Sequence, residues 1–369
     1  MRVSTAIILI FFFLDTYAQT VNPKQNIFII TTDGFRWQEV FRGADSALLN
    51  NPQFVKNPGL INLQYWDKDL DRRREKLMPF FWNVVARQGQ LYGNREENNN
   101  VNVTNPFKIS YSGYSEILTG HTDLKLNPNL PFLNKKTNIL EFLNMQQGYQ
   151  GRVAAFCSWN IFPYILNEKR SQFPVNSGYE ILVDDDVSRT DIKLINEVQQ
   201  TVSDKNQTRH DLLTFASAKE YIENKHPKIA FISFGETDEF AHGDRYDMYL
   251  QKANQVDRFI SELWYYVQTD AFYKGNTTFI ITTDHGRGGK AFNWHTHGLF
   301  TKGSGDTWLA LLGAGILPEG EMKTAQQIYP RQLPQTIASL LGFQFDSKYA
   351  SGDPIALPIQ KINENQKVP

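Results

Sequence analysis

Four stretches of the chain are apolar and β-branched, and each stops at a polar or glycine residue. They lie at 26–33, 228–235, 277–284 and 307–312. Short runs of this kind read as buried strands. Between them, apolar positions recur at three- and four-residue spacing over 208–224 and 246–267, which predicts helices. A late helix is expected at 333–341, with Gly342 as its C-terminal stop. The alternation predicts an α/β fold with a mostly parallel sheet covered by helices. Two stretches, 36–75 and 158–206, are richer in polar, Asn and Pro residues. They read as excursions from the sheet, either a lid or substrate-binding insert or ordinary surface loops.

Composition adds exclusions. The 369 residues carry 38 Lys+Arg against 39 Asp+Glu, a net charge of −1, and 41% are hydrophobic. That excludes a disordered chain and supplies no basic footprint for nucleic acid. No nucleic-acid partner is expected. The N-terminus departs from the average: Arg2, an apolar run from Ala6 to Leu14, then Ala18-Gln19. This reads as a signal peptide at 1–18, and the run is short of the ~20 residues that span a bilayer. The expectation is an exported protein, periplasmic or extracellular, without a transmembrane segment in the mature chain. Residues 19–369 are expected to form one catalytic domain with inserts near 36–75 and 158–206. Cys157 is the single cysteine, so no intrachain disulfide can form, and its apolar neighbours make it a small core residue.

The candidate chemistry gathers at strand ends. Asp33 closes the first run, Asp238 and His242 follow the second, and Asp284-His285 close the third. Ligands of open α/β sheets bind outside the carboxyl ends of strands. Imidazole with carboxylate is a zinc donor set, and manganese is also chemically admissible. His295 and His297 lie shortly after. Each residue alone has a common structural use as a cap or turn; their coincidence at three strand ends carries the argument. A nucleophile is sought among Ser110, Ser112 and Ser115, where a helix start would face an incoming anion. The 286–290 stretch lacks P-loop spacing and reads as a flexible loop from which Arg287 or Lys290 could touch substrate.

The ordered set resembles the alkaline phosphatase superfamily, in particular its type I phosphodiesterase/nucleotide pyrophosphatase-like branch. It comprises Asp33-Gly34, Ser110, Asp238 with His242, Asp284-His285-Gly286 and His297-Gly298. The resemblance implies a three-layer α/β/α sandwich. It implies two divalent metal ions, zinc or manganese, held by Asp238, His242 and His297 at one site. The other site would use Asp33, Ser110, Asp284 and His285. It selects Ser110, ten residues before Gly120, as the nucleophile that forms a phosphoseryl intermediate. His295-Thr296 also matches family variants, and His297 is preferred for its His-Gly pair. The branch usually has Thr at the nucleophile, followed by Phe-Pro-Asn-His. Here Ser110 precedes Tyr111-Ser112-Gly113-Tyr114, which leaves phosphodiesterase and phosphatase both open. The phosphate-holding Asn of that branch has two loose candidates, Asn127 and Asn129. Ser110 lacks the Pro and Arg that follow a sulfatase nucleophile. The implied function is an exported metal-dependent hydrolase of phosphoric esters, with a small-molecule phosphoester as its partner. The alternatives are a phosphomutase of the same superfamily and a non-catalytic metal-binding protein.

Overall fold

The computed structural model describes residues 25–125, 128–183, 189–346 and 352–359. The leader expected at 1–18, and Asn127, lie outside the described residues. In chain order the strands are β1 (Asn26–Thr32), β2 (Gly89–Tyr92), β3 (Asn99–Asn102), β4 (Val153–Cys157), β5 (Val175–Ser177) and β6 (Ile229–Phe234). They continue with β7 (Thr277–Thr282), β8 (Asp306–Thr307), β9 (Leu309–Gly313), β10 (Gly320–Glu321) and β11 (Gln326–Ile328). Eight of them form one sheet in the order β10-β2-β9-β7-β1-β6-β4-β5. All neighbours are parallel except that β9 runs against both β2 and β7. Strands β11, β3 and β8 make a separate small sheet.

Side chains of a strand point alternately to its two faces. On β1, Phe28 and Ile30 face one core with Ile232 and Ile281, while Ile27 and Ile29 face the other with Phe231 and Ile280. Both faces are covered, so the strand reads as an unbroken apolar run instead of an alternating one. Helices Asp211–Lys225 and Tyr246–Thr269 cover the first face with Phe215, Ile222, Phe259 and Leu263. Helices Ser110–Thr119, Ile139–Asn144 and Leu333–Leu340 cover the second with Ile117, Leu143 and Ile337. The result is the three-layer α/β/α sandwich with a mostly parallel central sheet.

The expected strands appear as β1, β6, β7 and β9. The 307–312 run is divided: Thr307 pairs with Val101 in the small sheet, whereas Leu309 onward joins the large one. Apolar pattern carries no strand direction, so the reversal of β9 had no sequence signature. The 36–75 stretch folds as Trp37–Arg42, Ser46–Leu49, Pro58–Tyr65 and Leu70–Leu77. Its polar residues are largely caps: Asp45, Asn57 and Asp69 accept the backbone N–H of Ala47, Leu60 and Arg72 at 2.8, 3.1 and 2.9 Å. Its apolar residues Phe41, Leu48, Leu49, Phe54 and Ile61 enter the core. Within 158–206, β5 extends the main sheet, and Cys157 is buried at the end of β4, where burial holds its thiol protonated.

Candidate metal centre and nucleophile

Strands β7, β1 and β6 are adjacent and parallel at the middle of the sheet, so their carboxyl ends open onto one rim. Asp33 follows β1 and Asp284-His285 follow β7. After β6 the Glu236–His242 helix carries Asp238 and His242, four residues apart on one face. His242 Nε2 lies 3.1 Å from Asp238 Oδ2 and 3.0 Å from His297 Nε2. His285 Nε2 lies 3.4 Å from Asp33 Oδ1, 3.5 Å from Asp284 Oδ2 and 3.9 Å from Asp238 Oδ1. The rings of His285 and His297 stack with centroids 3.9 Å apart.

Two glycines allow this convergence. Gly34 has φ +56°, and a Cβ there would stand 2.7 Å from Asp238 Oδ1. Gly113 brings the Ser110–Thr119 helix against the rim, where a Cβ would stand 2.3 Å from the Asp284 carbonyl. That helix starts at Ser110. Ser110 Oγ lies 3.4 Å from Asp33 Oδ1 and 3.4 Å from His285 Nε2. By contrast, Ser115 Oγ accepts from Asn134 Nδ2 at 3.0 Å, on the way into the core.

The donor set fits divalent cations. The ligand atoms of Asp238, His242 and His297 all lie within 4.8 Å of one another, as do those of Asp33, Asp238 and His285. His285 Nδ1 donates to the Gly286 carbonyl and His297 Nδ1 to the Lys108 carbonyl, each at 3.0 Å. A carbonyl only accepts, so the hydrogen of each neutral ring sits on Nδ1 and Nε2 is left as a bare lone pair. Asp284 Oδ2 is buried with no hydrogen-bond partner, while Asp284 Oδ1 accepts the Gly34 N–H at 3.0 Å. Burial, then the neighbouring Asp284, pushes the Asp33 carboxyl up to about 8. Burial pushes Asp284 up to about 7. Burial also lowers His285, and it lowers His297 further, with His285 and Arg287 adding to the effect. Asp33, Asp284 and His285 are buried and crowded, with Asp284 Oδ2 unpaired, and a bound cation would satisfy them. Zinc or manganese suits these oxygen and nitrogen donors. The geometry modifies one expected grouping, since Asp238 also reaches the Asp33–His285 group.

His295 lies apart from this cluster, with its Nδ1 3.0 Å from Asp244 Oδ1. Arg287 is not a substrate-facing loop residue. It is 1% exposed, donates from Nε to the Gly34 carbonyl at 3.0 Å, and reaches the His295 carbonyl. Its guanidinium also abuts Asp238 Oδ1 without a hydrogen bond of ordinary geometry. Burial draws its pKa down to about 9. The 286–290 loop is pinned, with Gly286 N–H on the Ser304 carbonyl and Gly288 N–H on the Thr296 carbonyl. Lys290 is exposed. Sequence reasoning also missed Arg36, which donates to Glu39 and to the Gly288 carbonyl from a fully buried position. The Arg36–Glu39 spacing of three was the available signal. Asn129 Oδ1 accepts the Tyr111 N–H at 3.0 Å, one residue past Ser110.

No protein-family model matches the chain, and no curated protein matches it. Solved structures do. Alkaline phosphatase PafA superposes with a TM-score of 0.58 at 12% identity, covering 91% of this chain and 99% of that one. The fold is that of the alkaline phosphatase superfamily. The lipoteichoic acid synthase LtaP from Listeria monocytogenes matches at TM-score 0.55 and 11% identity, over 88% of this chain and 74% of that one. The 2-O GAG sulfatase BT1596 matches at 0.52 and 15%, over 89% and 73%. The alkaline phosphatase fold thus accompanies both phosphate and sulfate chemistry among these neighbours, and the fold alone does not choose between them.

Proposed function

We propose that the chain is an exported, metal-dependent phosphoester hydrolase, a phosphodiesterase or phosphatase acting through a phosphoseryl intermediate on Ser110. The observation that carries this reading is the position of Ser110. Its Oγ stands at a helix N-terminus, 3.4 Å from Asp33 and from His285, beside the candidate ligand atoms of Asp33, Asp238 and His285. Two divalent cations, zinc for preference, held by Asp33, Asp238, His242, Asp284, His285 and His297, would neutralise phosphoryl charge and clamp the attacking and leaving oxygens.

The chain's own residues supply the rest. Asp33 Oδ1 is an acceptor for the Ser110 hydrogen. Ser110 Oγ, its proton passed to Asp33, attacks phosphorus; the bond from phosphorus to the substrate's alcohol oxygen breaks, and that oxygen takes a proton from water to leave as the alcohol. Water then cleaves the phosphoseryl bond and restores the hydroxyl. The helix N-terminus adds positive potential where the phosphoryl oxygens gather. Asn129, whose Oδ1 accepts the Tyr111 N–H, is the candidate to hold a phosphoryl oxygen through its amide. The absence of Pro and Arg after Ser110 supports phosphate over sulfate esters. The segment at 1–18 supports export, and the mature protein from its native host is expected to begin near Gln19.

The test is turnover of aryl phosphate monoesters, aryl phosphate diesters and aryl sulfates by metal-stripped protein, before and after zinc or manganese. Phosphoester turnover restored by metal is the expected result. Turnover confined to sulfate esters, or independent of metal, would overturn the reading.

A further inference from the structure

We propose that the loop from Gly289 to Gly303 docks the protein onto an anionic lipid surface, seating lipid phosphates in a cationic cleft and two phenyl rings among the headgroups. The inference concerns a surface outside the nucleophile and does not depend on the reading of Ser110.

The cleft measures about 550 Å³. The loop contributes Lys290, Phe292 and Lys302 to it, and Arg42, Arg95, Glu96 and Asp306 complete the charged lining. Both acids are engaged: Glu96 pairs with Arg42, and Asp306 lies 2.9 Å from Arg95. Burial raises the Asp306 carboxyl while Arg95, Lys108 and Lys302 oppose the rise, so one acid faces three cations. Lys290 and Lys302 are exposed, and neither has an ion-pair partner among the described residues. The chain as a whole is balanced in charge, yet no Asp or Glu occurs from 289 to 303. The cleft therefore holds two cations in excess, which draw anions to it.

Apolar side chains protrude beside those cations. Phe300, two residues before Lys302, is 95% exposed, and Phe292 in the cleft wall is 78% exposed. Leu299 is exposed as well. Three such side chains on one short loop mark a contact surface. The loop that projects them is anchored. Trp294 is buried, the Gly298 N–H donates to Ser304 Oγ at 3.1 Å, and the Thr301 N–H donates to the Gly298 carbonyl at 3.1 Å. Phenyl rings set among lysines, with no acid between them, suit the boundary of an anionic bilayer. A second copy of the chain would bring Lys290 and Lys302 against their own counterparts, which like charge opposes. A small soluble anion would use the lysines and leave Phe300 in water. His297 lies in the same loop, so docking brings the candidate metal centre to the lipid surface.

The test is co-sedimentation with vesicles, using the full chain with Ser110→Ala so that lipid phosphates stay uncleaved. Vesicles of phosphatidylcholine mixed with phosphatidylglycerol are expected to bind it, and phosphatidylcholine alone is not. Added salt should weaken the binding. Lys290→Gln and Lys302→Gln are each expected to lower affinity about fivefold, the effect of one cation near a charged bilayer. Phe292→Ser and Phe300→Ser are each expected to lower it about tenfold, through the lost burial of a ring. Phe300 is almost fully exposed, so its variant keeps the fold and serves if the Phe292 variant does not. Glycerol phosphate at the lipid concentration carries the charge without the chains and should not release the bound protein. No binding to anionic vesicles, equal binding to neutral ones, binding that survives these substitutions, or release by glycerol phosphate would overturn the proposal. So would self-association without lipid that Phe300→Ser abolishes, since that gives the loop to a second copy of the chain.

Discussion

Two buried charged clusters flank the same loop and are built on opposite principles. The Arg36–Glu39 cluster is closed. Arg36 Nε donates to Glu39 Oε2 at 2.8 Å, the Tyr246 hydroxyl donates to Glu39 Oε1 at 2.8 Å, and the Tyr249 hydroxyl accepts the Arg36 N–H at 2.9 Å. Burial pushes the Arg36 guanidinium down, but Glu39 more than offsets it and the cation is held. The rim cluster of Asp33, Asp238, Asp284, His285 and His297 is open. Asp33 and Asp284 are pushed up, His285 and His297 are pushed down, and Asp284 Oδ2 has no partner. A protein can bury charge by pairing it internally or by leaving it for a ligand to pair. The first cluster does the former, and the second is what the latter looks like. They are also linked, because Arg36 holds the Gly288 carbonyl. Trp294 plugs between Phe54, Tyr246 and Tyr249 at ring distances of 5.5, 5.1 and 5.6 Å, three residues before His297.

The largest expected effect separates chemistry from architecture at the open cluster. Ser110→Ala should lower phosphoester turnover by roughly a thousandfold or more, since the group that forms the covalent bond is gone. Metal content should persist, because the carboxylates and imidazoles remain. Ser112→Ala and Ser115→Ala should cost far less activity. Ser115→Ala instead strips the Asn134 amide of an acceptor, a loss of about 1 kcal/mol readable in urea unfolding. Near wild-type turnover in Ser110→Ala would make that serine only a helix start.

The next effect concerns which histidine belongs to the open cluster. Zinc affinity, measured against a competing chelator, should fall in His297→Ala by more than the ~10–100-fold that an outer-shell partner costs. His295→Ala should lose less, because its ring lies toward Asp244. The reverse ranking would move the ligand to His295.

The third effect should differ in sign between the clusters. In metal-free protein, Glu39→Gln leaves the Arg36 cation buried and should cost about 3–5 kcal/mol. Asp284→Asn removes a buried carboxylate oxygen that nothing pairs, keeps an oxygen for the Gly34 N–H, and should gain about 1–3 kcal/mol. The same variant should lose the upward shift in melting temperature that bound zinc gives wild type. Destabilisation by both variants would mean that the open cluster is satisfied without metal.

The open cluster was the more legible of the two. Asp33, Asp238, Asp284 and His285 sit at strand ends or within the first helix turn beyond, with His242 one turn further, and strand ends can be read from apolar runs. The closed cluster was hidden because its members, Arg36, Glu39, Tyr246 and Tyr249, come from two distant helical segments with no shared motif. Arg287 was misjudged for a related reason. Its glycine neighbours suggest freedom, whereas the backbone there is tied to Ser304 and Thr296, partners known only once the chain is folded. In the fold, the central strands were visible and the direction of β9 was not. The small sheet was hidden as well, since β8 contributes only Asp306–Thr307 and β3 is Asn-rich.

Asp257 provides the smallest test and a control for the comparison. It is buried on the Tyr246–Thr269 helix and, like the closed cluster, it is hydrogen-bonded: it accepts the N–H of Phe80 at 2.8 Å and of Phe81 at 2.9 Å. Burial outweighs those bonds and pushes its carboxyl up to about 7. An unfolded Asp titrates near ~3.9. Between these values the folded state keeps a proton that the unfolded state has released, so stability falls as pH rises from about 4 to about 7 and is level above. The descent should be on the order of 1–4 kcal/mol in urea unfolding, and zinc should not abolish it, since Asp257 is not among the proposed ligands. Asp257→Asn should begin less stable, because one of the two N–H groups loses its acceptor, and should show a flatter profile over the same pH range. If the variant descends as steeply as wild type, the slope belongs to the open carboxylates instead. Zinc should then remove it, which would make the contrast between the two clusters larger than Asp257 alone can explain.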